Sequence, residues 1–307
     1  MYRTELVNVA KPRQNWLLVT AESPEDIFDK IESTKVWAFG GNADCSSHGE
    51  GDGWAETRDL SHALDVGRRG WAKGRDTMMK VLDDSNVIRR SLPHKADALD
   101  VGGSYPVVPL AVAGDPMCMV THGMESTRTK PVVRIVVNVA VSGAVTAATI
   151  MQRGGAILSW VDGLEAAGIR VEIEVIESGL FQEGEATPKG VVFSVKAKRA
   201  DEPLDIDRVS FLICHPAIQR RLFFALYERE ADQGKLGLTP SEAVTYGAPT
   251  DALPAGVLGL HSVYFPAMLR NNPDYATPAT AVAAVERMIL SSMQLEDIEA
   301  DRALMES

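Results

Sequence analysis

The chain has 307 residues, 45% of them hydrophobic, and a formal charge of −11. That length and composition can bury a sizeable core in one large domain or two modest ones, and the acidic balance excludes a general binder of nucleic-acid backbone, which needs a basic face. No apolar run reaches the roughly 20 residues that span a bilayer, residues 1–16 lack the apolar core of a signal peptide, and Cys45, Cys118 and Cys214 lie too far apart for a disulfide framework or zinc knuckle; a soluble cytoplasmic chain with reduced thiols, no membrane contact and no cofactor is expected.

In chain order, Trp16 to Val19 is a strand candidate, and Ser23-Pro24-Glu25-Asp26 opens a helix, with Ser as N-cap, Pro in the first turn and acids against the dipole. Residues 38–56 form a Gly, Ser and Asp-rich loop. Its Cys45 and His48 could supply two ligands to a metal that needs three or four, so a surface loop is the simpler expectation. From Asp59 to Leu82 apolar residues at helical spacing predict a helical pair broken at Gly70 and Gly74. Arg68, Arg69, Lys73 and Arg75 cluster there beside Trp71, as a single-stranded nucleic-acid platform would. Asp59, Asp65 and Asp76 dilute that patch, and a solvated helix face with a core Trp explains it as well. Residues 84–130 are expected to be mostly irregular: prolines interrupt an extended segment at Val107 to Leu110, and Gly114-Asp115-Pro116 is a turn.

The stretch Pro131 to Ser178 is the organising unit. Val132 to Val139 is apolar on both faces, as a central parallel strand is. Ile150, Ile157, Leu158, Val161 and Leu164 follow at helical spacing, Gly168 can take the left-handed conformation that ends a helix, and Val171 to Ile176 is a second strand. Strand, helix and strand make one crossover unit of constrained handedness. Val191 to Ala197 is a further strand. Asp201, Glu202, Asp205 and Asp207 could gather round a divalent cation, but they precede a helical pattern over 208–230 and suit its N-terminal end. Gly256 to Phe265 reads as another strand and Pro278 to Met293 as a final helix, with a charged tail over 296–307. The expected organisation is an α/β domain at 131–295 with a mostly parallel sheet flanked by helices, and an α+β, loop-rich region at 1–130 packed on it.

The run from Arg134 through Asn138, Ala140 and Ser142, the helix ending Asp162 to Gly168, and the strand after it resemble the opening of von Willebrand factor type A domains. In that family the first strand ends in Asp-x-Ser-x-Ser, which holds a divalent metal for a partner's acid. The matching positions here are Asn138, Ala140 and Ser142, and the position of the family's later Asp falls near His261 and Ser262, so the resemblance implies a degenerate, metal-free site. Along its whole length the chain also resembles an uncharacterised protein family of tailed phages, through Gly70-Trp71, Gly74-Arg75, the segment Gly114 to Met119, the Pro131 to Ile176 block, Leu204 to Arg208 and His215-Pro216. Together these imply a non-catalytic protein-binding or assembly module, in the infected cell or the virion, meeting a protein partner through a strand-end rim of Asn138, Ser142, Gly143, His261 and Ser262. The alternatives are a nucleic-acid-associated protein using Arg68, Arg69, Trp71, Lys73 and Arg75, and a hydrolase with Ser142 as nucleophile and His261 as base. The latter lacks the flanking glycines of a nucleophile turn.

Overall fold

The computed structural model describes residues 1–10, 13–34, 55–76, 98–101, 105–121, 132–166, 168–181, 189–232, 248–254, 257–258 and 262–305. Strands β1 (Arg3–Ala10) and β2 (Arg13–Ala21) form a hairpin and lead to helix α1 (Pro24–Ser33) and then α2 (Leu60–Arg69). The short strands β3 (Ala98–Asp100), β4 (Tyr105–Pro106) and β5 (Met119–Thr121) make a small antiparallel sheet that carries helix α3 (Val108–Val112). The crossover unit follows as β6 (Val132–Asn138), α4 (Ala147–Ala166) and β7 (Arg170–Phe181). Strand β8 (Lys189–Lys198), α5 (Ile206–Cys214), a π-helix (Ile218–Phe223), α6 (Phe224–Asp232), β9 (Ala248–Pro249), β10 (Ser262–Phe265), a 3-10 turn (Pro273–Tyr275) and α7 (Pro278–Met305) complete the described elements.

The large sheet has the order β1-β2-β8-β7-β6-β10, with β9 beside the end of β7. Among the described residues three neighbouring pairs are parallel (β2 with β8, β6 with β7, β6 with β10) and three antiparallel (β1 with β2, β7 with β8, β7 with β9). The sheet is therefore mixed, not mostly parallel. Seven residues, 182–188, separate β7 from β8, too few for the dozen or more that a parallel crossover needs, so the chain returns antiparallel.

Side-chain alternation divides the sheet into two faces. The apolar groups that α1, α2, α4, α5, α6 and α7 bury form one core with Ile135 and Val137 of β6, Val171, Ile173 and Val175 of β7, and Phe193 and Val195 of β8. The opposite face holds a smaller cluster of Trp16, Val136, Ile176 and Val192, covered in part by Val257. Helix α1 begins as expected, its Ser23 Oγ accepting from Asp26 N at 3.4 Å. Gly168 after α4 has φ +81° and Gly70 after α2 has φ +87°, conformations that favour glycine. Gly154 lets α4 and α5 approach closely: a Cβ there would lie 2.6 Å from Cys214 Sγ.

Residues before 131 are built into the same sheet and core as the crossover unit: β2 pairs with β8, and α1 and α2 share that core. Two further expectations change. Val108–Val112 is a short helix and not an extended segment, with Pro109 at its amino end where a missing N–H costs nothing. Helix α7 runs on through residue 296 to Met305.

Candidate functional site

Beyond Asn138 the backbone continues alongside the segment that follows β10. Ser142 N donates to Met268 O at 2.9 Å, Met268 N donates to Ala140 O at 3.0 Å, and Val141 and Met268 form a parallel bridge. The chain then turns, with Val145 N donating to Ser142 O at 3.0 Å and Ser142 Oγ accepting from Ala144 N at 3.4 Å. Thr146 caps α4 through Thr149 N at 3.2 Å. Asn271 ties the two loops together: its Oδ1 accepts from Thr146 N (3.1 Å) and Thr149 Oγ1 (3.2 Å), and its Nδ2 donates to Ala144 O (3.0 Å).

The resulting rim shows Gly143, Ala144, Thr146, Arg270 and Leu269 to solvent, Leu269 being 53% exposed. Positive groups lie at it in a chain of net charge −11, with the Asp251 carboxylate close by on Ala267 N at 2.6 Å. The amino end of α4, where the helix dipole is positive, has no acid in its first turn. Arg220 of the π-helix reaches Gly143, where a Cβ would lie 3.4 Å from its guanidinium, and Arg270 makes no ion pair among the described residues.

Asn138 belongs to the support of this rim and not to its surface. It is fully buried, its Oδ1 accepts from Ala140 N at 3.1 Å, and its Nδ2 lies 2.8 Å from Ser178 Oγ, 3.1 Å from the Tyr264 hydroxyl and 3.3 Å from Thr250 O. Tyr264 in turn donates to Asp251 Oδ1 at 3.0 Å. On the other face of the sheet, Arg153 of α4 donates to Asn138 O (3.2 Å) and Pro266 O (2.7 Å), joining the ends of β6 and β10. Glu177 of β7 accepts from the Tyr227 hydroxyl at 2.6 Å, and burial pushes its carboxyl up to about 8 against the hydrogen bonds from Tyr227 and Gln219.

The expected rim is thus assembled in part. Ser142 and Gly143 stand on it and Asn138 lies directly beneath. Ser262 does not join them: β10 runs parallel to β6 with Ser262 opposite Arg134, about 13 Å along the strand from Asn138, at the amino end and not the carboxyl end. His261 lies outside the described residues, as do Cys45 and His48. Leu269, Arg270, Asn271 and Arg220 were not singled out by sequence. Asn271-Asn272-Pro273-Asp274 carries a turn signal, but which Asn would reach across to Thr146 is not encoded locally.

The basic cluster is neutralised. Arg68 pairs with Asp29 (3.0 Å) and Glu32 (2.7 Å), Arg69 with Asp65 (3.0 Å), Lys73 with Glu56 (3.4 Å) and Arg75 with Asp207 (3.0 Å). Trp71 is 8% exposed and packs edge-on against His215 with ring centroids 4.6 Å apart, so its face is not open to a base. His215 is spent likewise: burial pushes its imidazole down to about 3, with Lys73 and His62 adding to the effect, and its Nδ1 accepts from Ala217 N at 3.1 Å. Asp205 caps α5 through Arg208 N at 3.2 Å. Among the described residues no group of three His, Cys, Asp or Glu side chains could hold a metal, and no helix is long and apolar enough to cross a membrane.

Residues 7–297 match a family model described as a domain of unknown function, DUF7192. The chain belongs to this family. No curated protein matches it, and no solved structure does. The family's span starts within β1 and ends within α7, so it takes in the hairpin, the crossover unit and the rim alike.

Proposed function

We propose that this family member works by binding protein, without turnover, through the rim formed by residues 142–146 and 269–271. The observation that carries the proposal is the Asn271 clamp, whose three hydrogen bonds hold two exposed loops in one shape. Pre-organised backbone loses little entropy on association. Leu269 supplies an exposed apolar anchor beside the small residues Gly143 and Ala144, and Arg270, Arg220 and the amino end of α4 favour a partner segment bearing a carboxylate. The crossover unit with β10 parallel to β6 supports a von Willebrand A-like character for that half of the sheet; a tailed-phage setting rests on the resemblance alone.

The test is affinity capture of the tagged chain from its native setting, alongside Leu269→Asp/Arg270→Glu and a control, Val132→Asp, at the opposite end of β6. A partner held by the wild type and the control but lost by the rim variant, with unchanged thermal midpoints, is expected. A partner retained by the rim variant, or recovery of nucleic acid without protein, overturns the proposal.

A further inference from the structure

Beneath the rim, between β6, α4 and the π-helix, lies a small cavity with about 10 Å³ open to the centre of a water molecule. Val137, Val139 and Ile157 make most of its wall apolar, but Arg153 and Gln219 also line it. Each of these two is 3% exposed. Each also has one buried polar atom without a hydrogen-bond partner: Arg153 Nε, which is a donor, and Gln219 Oε1, which is an acceptor. Their other groups are engaged, Arg153 with Asn138 O, Pro266 O and the side chain of Tyr275, and Gln219 with Val141 O at 3.2 Å and the Glu177 carboxyl.

We propose that this cavity is a binding site for one ordered water, which accepts from Arg153 Nε–H and donates to Gln219 Oε1. One water needs roughly 10–15 Å³ of such space and two to four polar partners, and the cavity has the volume for one and not for two. The water links α4, the end of β6 and the π-helix directly under the docking loops, and its presence does not depend on the docking proposal.

A crystal structure that resolves solvent should show one density peak about 2.7–3.2 Å from both atoms. Oxygen-17 relaxation dispersion of the wild-type protein should count one more long-lived water than Gln219→Met or Arg153→Met; the first variant keeps the Arg153 bonds to both strands should the second fail to fold. A dry cavity with Arg153 Nε and Gln219 Oε1 bonded to protein groups overturns the proposal. So does an unchanged count of long-lived waters in the folded variants.

Discussion

Glu177 offers the sharpest test of the interior. It is 2% exposed on β7, faces the helices, and has the Tyr227 hydroxyl 2.6 Å away as its donor. Burial raises its carboxyl from 4.5 to about 8, so between those values the native state holds a proton that the unfolded state has released. Stability from this group is therefore fully present below pH 4.5 and is lost as pH rises through 8. At about 1.4 kcal/mol per unit the full span is worth on the order of 5 kcal/mol, an upper bound.

Glu177→Gln keeps the shape and an acceptor for Tyr227 but cannot ionise. Near pH 5 it should lie within about 1 kcal/mol of the wild type, the net worth of one altered hydrogen bond. Above pH 8 it should be the more stable protein by a few kcal/mol. Urea unfolding from pH 5 to 9, read as midpoints at constant slope, should give curves that separate steadily with rising pH. Parallel curves would refute the reasoning, because they would mean that the buried carboxyl ionises without cost.

Asn138→Ala should cost about 2–4 kcal/mol, since it strips a partner from Ala140 N and from the Ser178 and Tyr264 hydroxyls inside the fold; denaturant melts check this, and a loss below 1 kcal/mol would make the node dispensable. Mg²⁺ or Ca²⁺ should leave the thermal midpoint unchanged, whereas a ligand at a hundred times its dissociation constant adds about 2.7 kcal/mol; an upward shift abolished by Ser142→Ala would restore a metal site at the rim. Trp71→Ala should destabilise by about 3–5 kcal/mol as a core truncation, while Lys73→Ala and Arg75→Ala, each breaking a surface pair, should each change stability by less than about 1 kcal/mol. A single-stranded oligonucleotide gel shift that Trp71 controls without loss of stability would contradict that assignment.

The crossover unit was legible because its signals are local: a β-branched run, an apolar helical spacing and a glycine that the structure places at φ +81°. The Ser23-Pro24 helix start was legible for the same reason. The direction of β8 was not legible: strands read at 171–176 and 191–197 leave about fourteen residues between them, room for a crossover, and only the structure lengthens both strands until 182–188 is all that remains. The placement of Ser262 failed on register and not on direction: β10 is parallel to β6, but its carboxyl end is Phe265, opposite Val137, and nothing within Ser262 to Phe265 sets that register. The π-helix leaves no mark in composition. The apolar spacing of 216–230 is satisfied by a continuous helix, and only the packing brings Gln219 to the cavity and Arg220 to the rim.

The reversal between β7 and β8 puts carboxyl ends of strands at both ends of the sheet. The carboxyl ends of β6, β7 and β10 meet at the rim, whereas those of β2 and β8 meet at the opposite end, beside the amino ends of α1 and α5. That second end opens on a cleft of about 500 Å³, the larger space, yet most of its charges are already paired. Glu22 accepts from Lys196 at 2.7 Å and is held below the usual carboxylate range mainly by that bond, and Glu25 pairs with Arg208. A ligand entering there would have to displace ion pairs that water already screens, and would gain little in exchange. At the rim Asn271 satisfies Thr146 N and Ala144 O, while Leu269 and Arg270 are exposed and Arg270 makes no ion pair among the described residues. Volume favours the cleft and available interaction favours the rim. Since affinity follows well-placed anchors more than area, the rim is the end at which a partner gains the most.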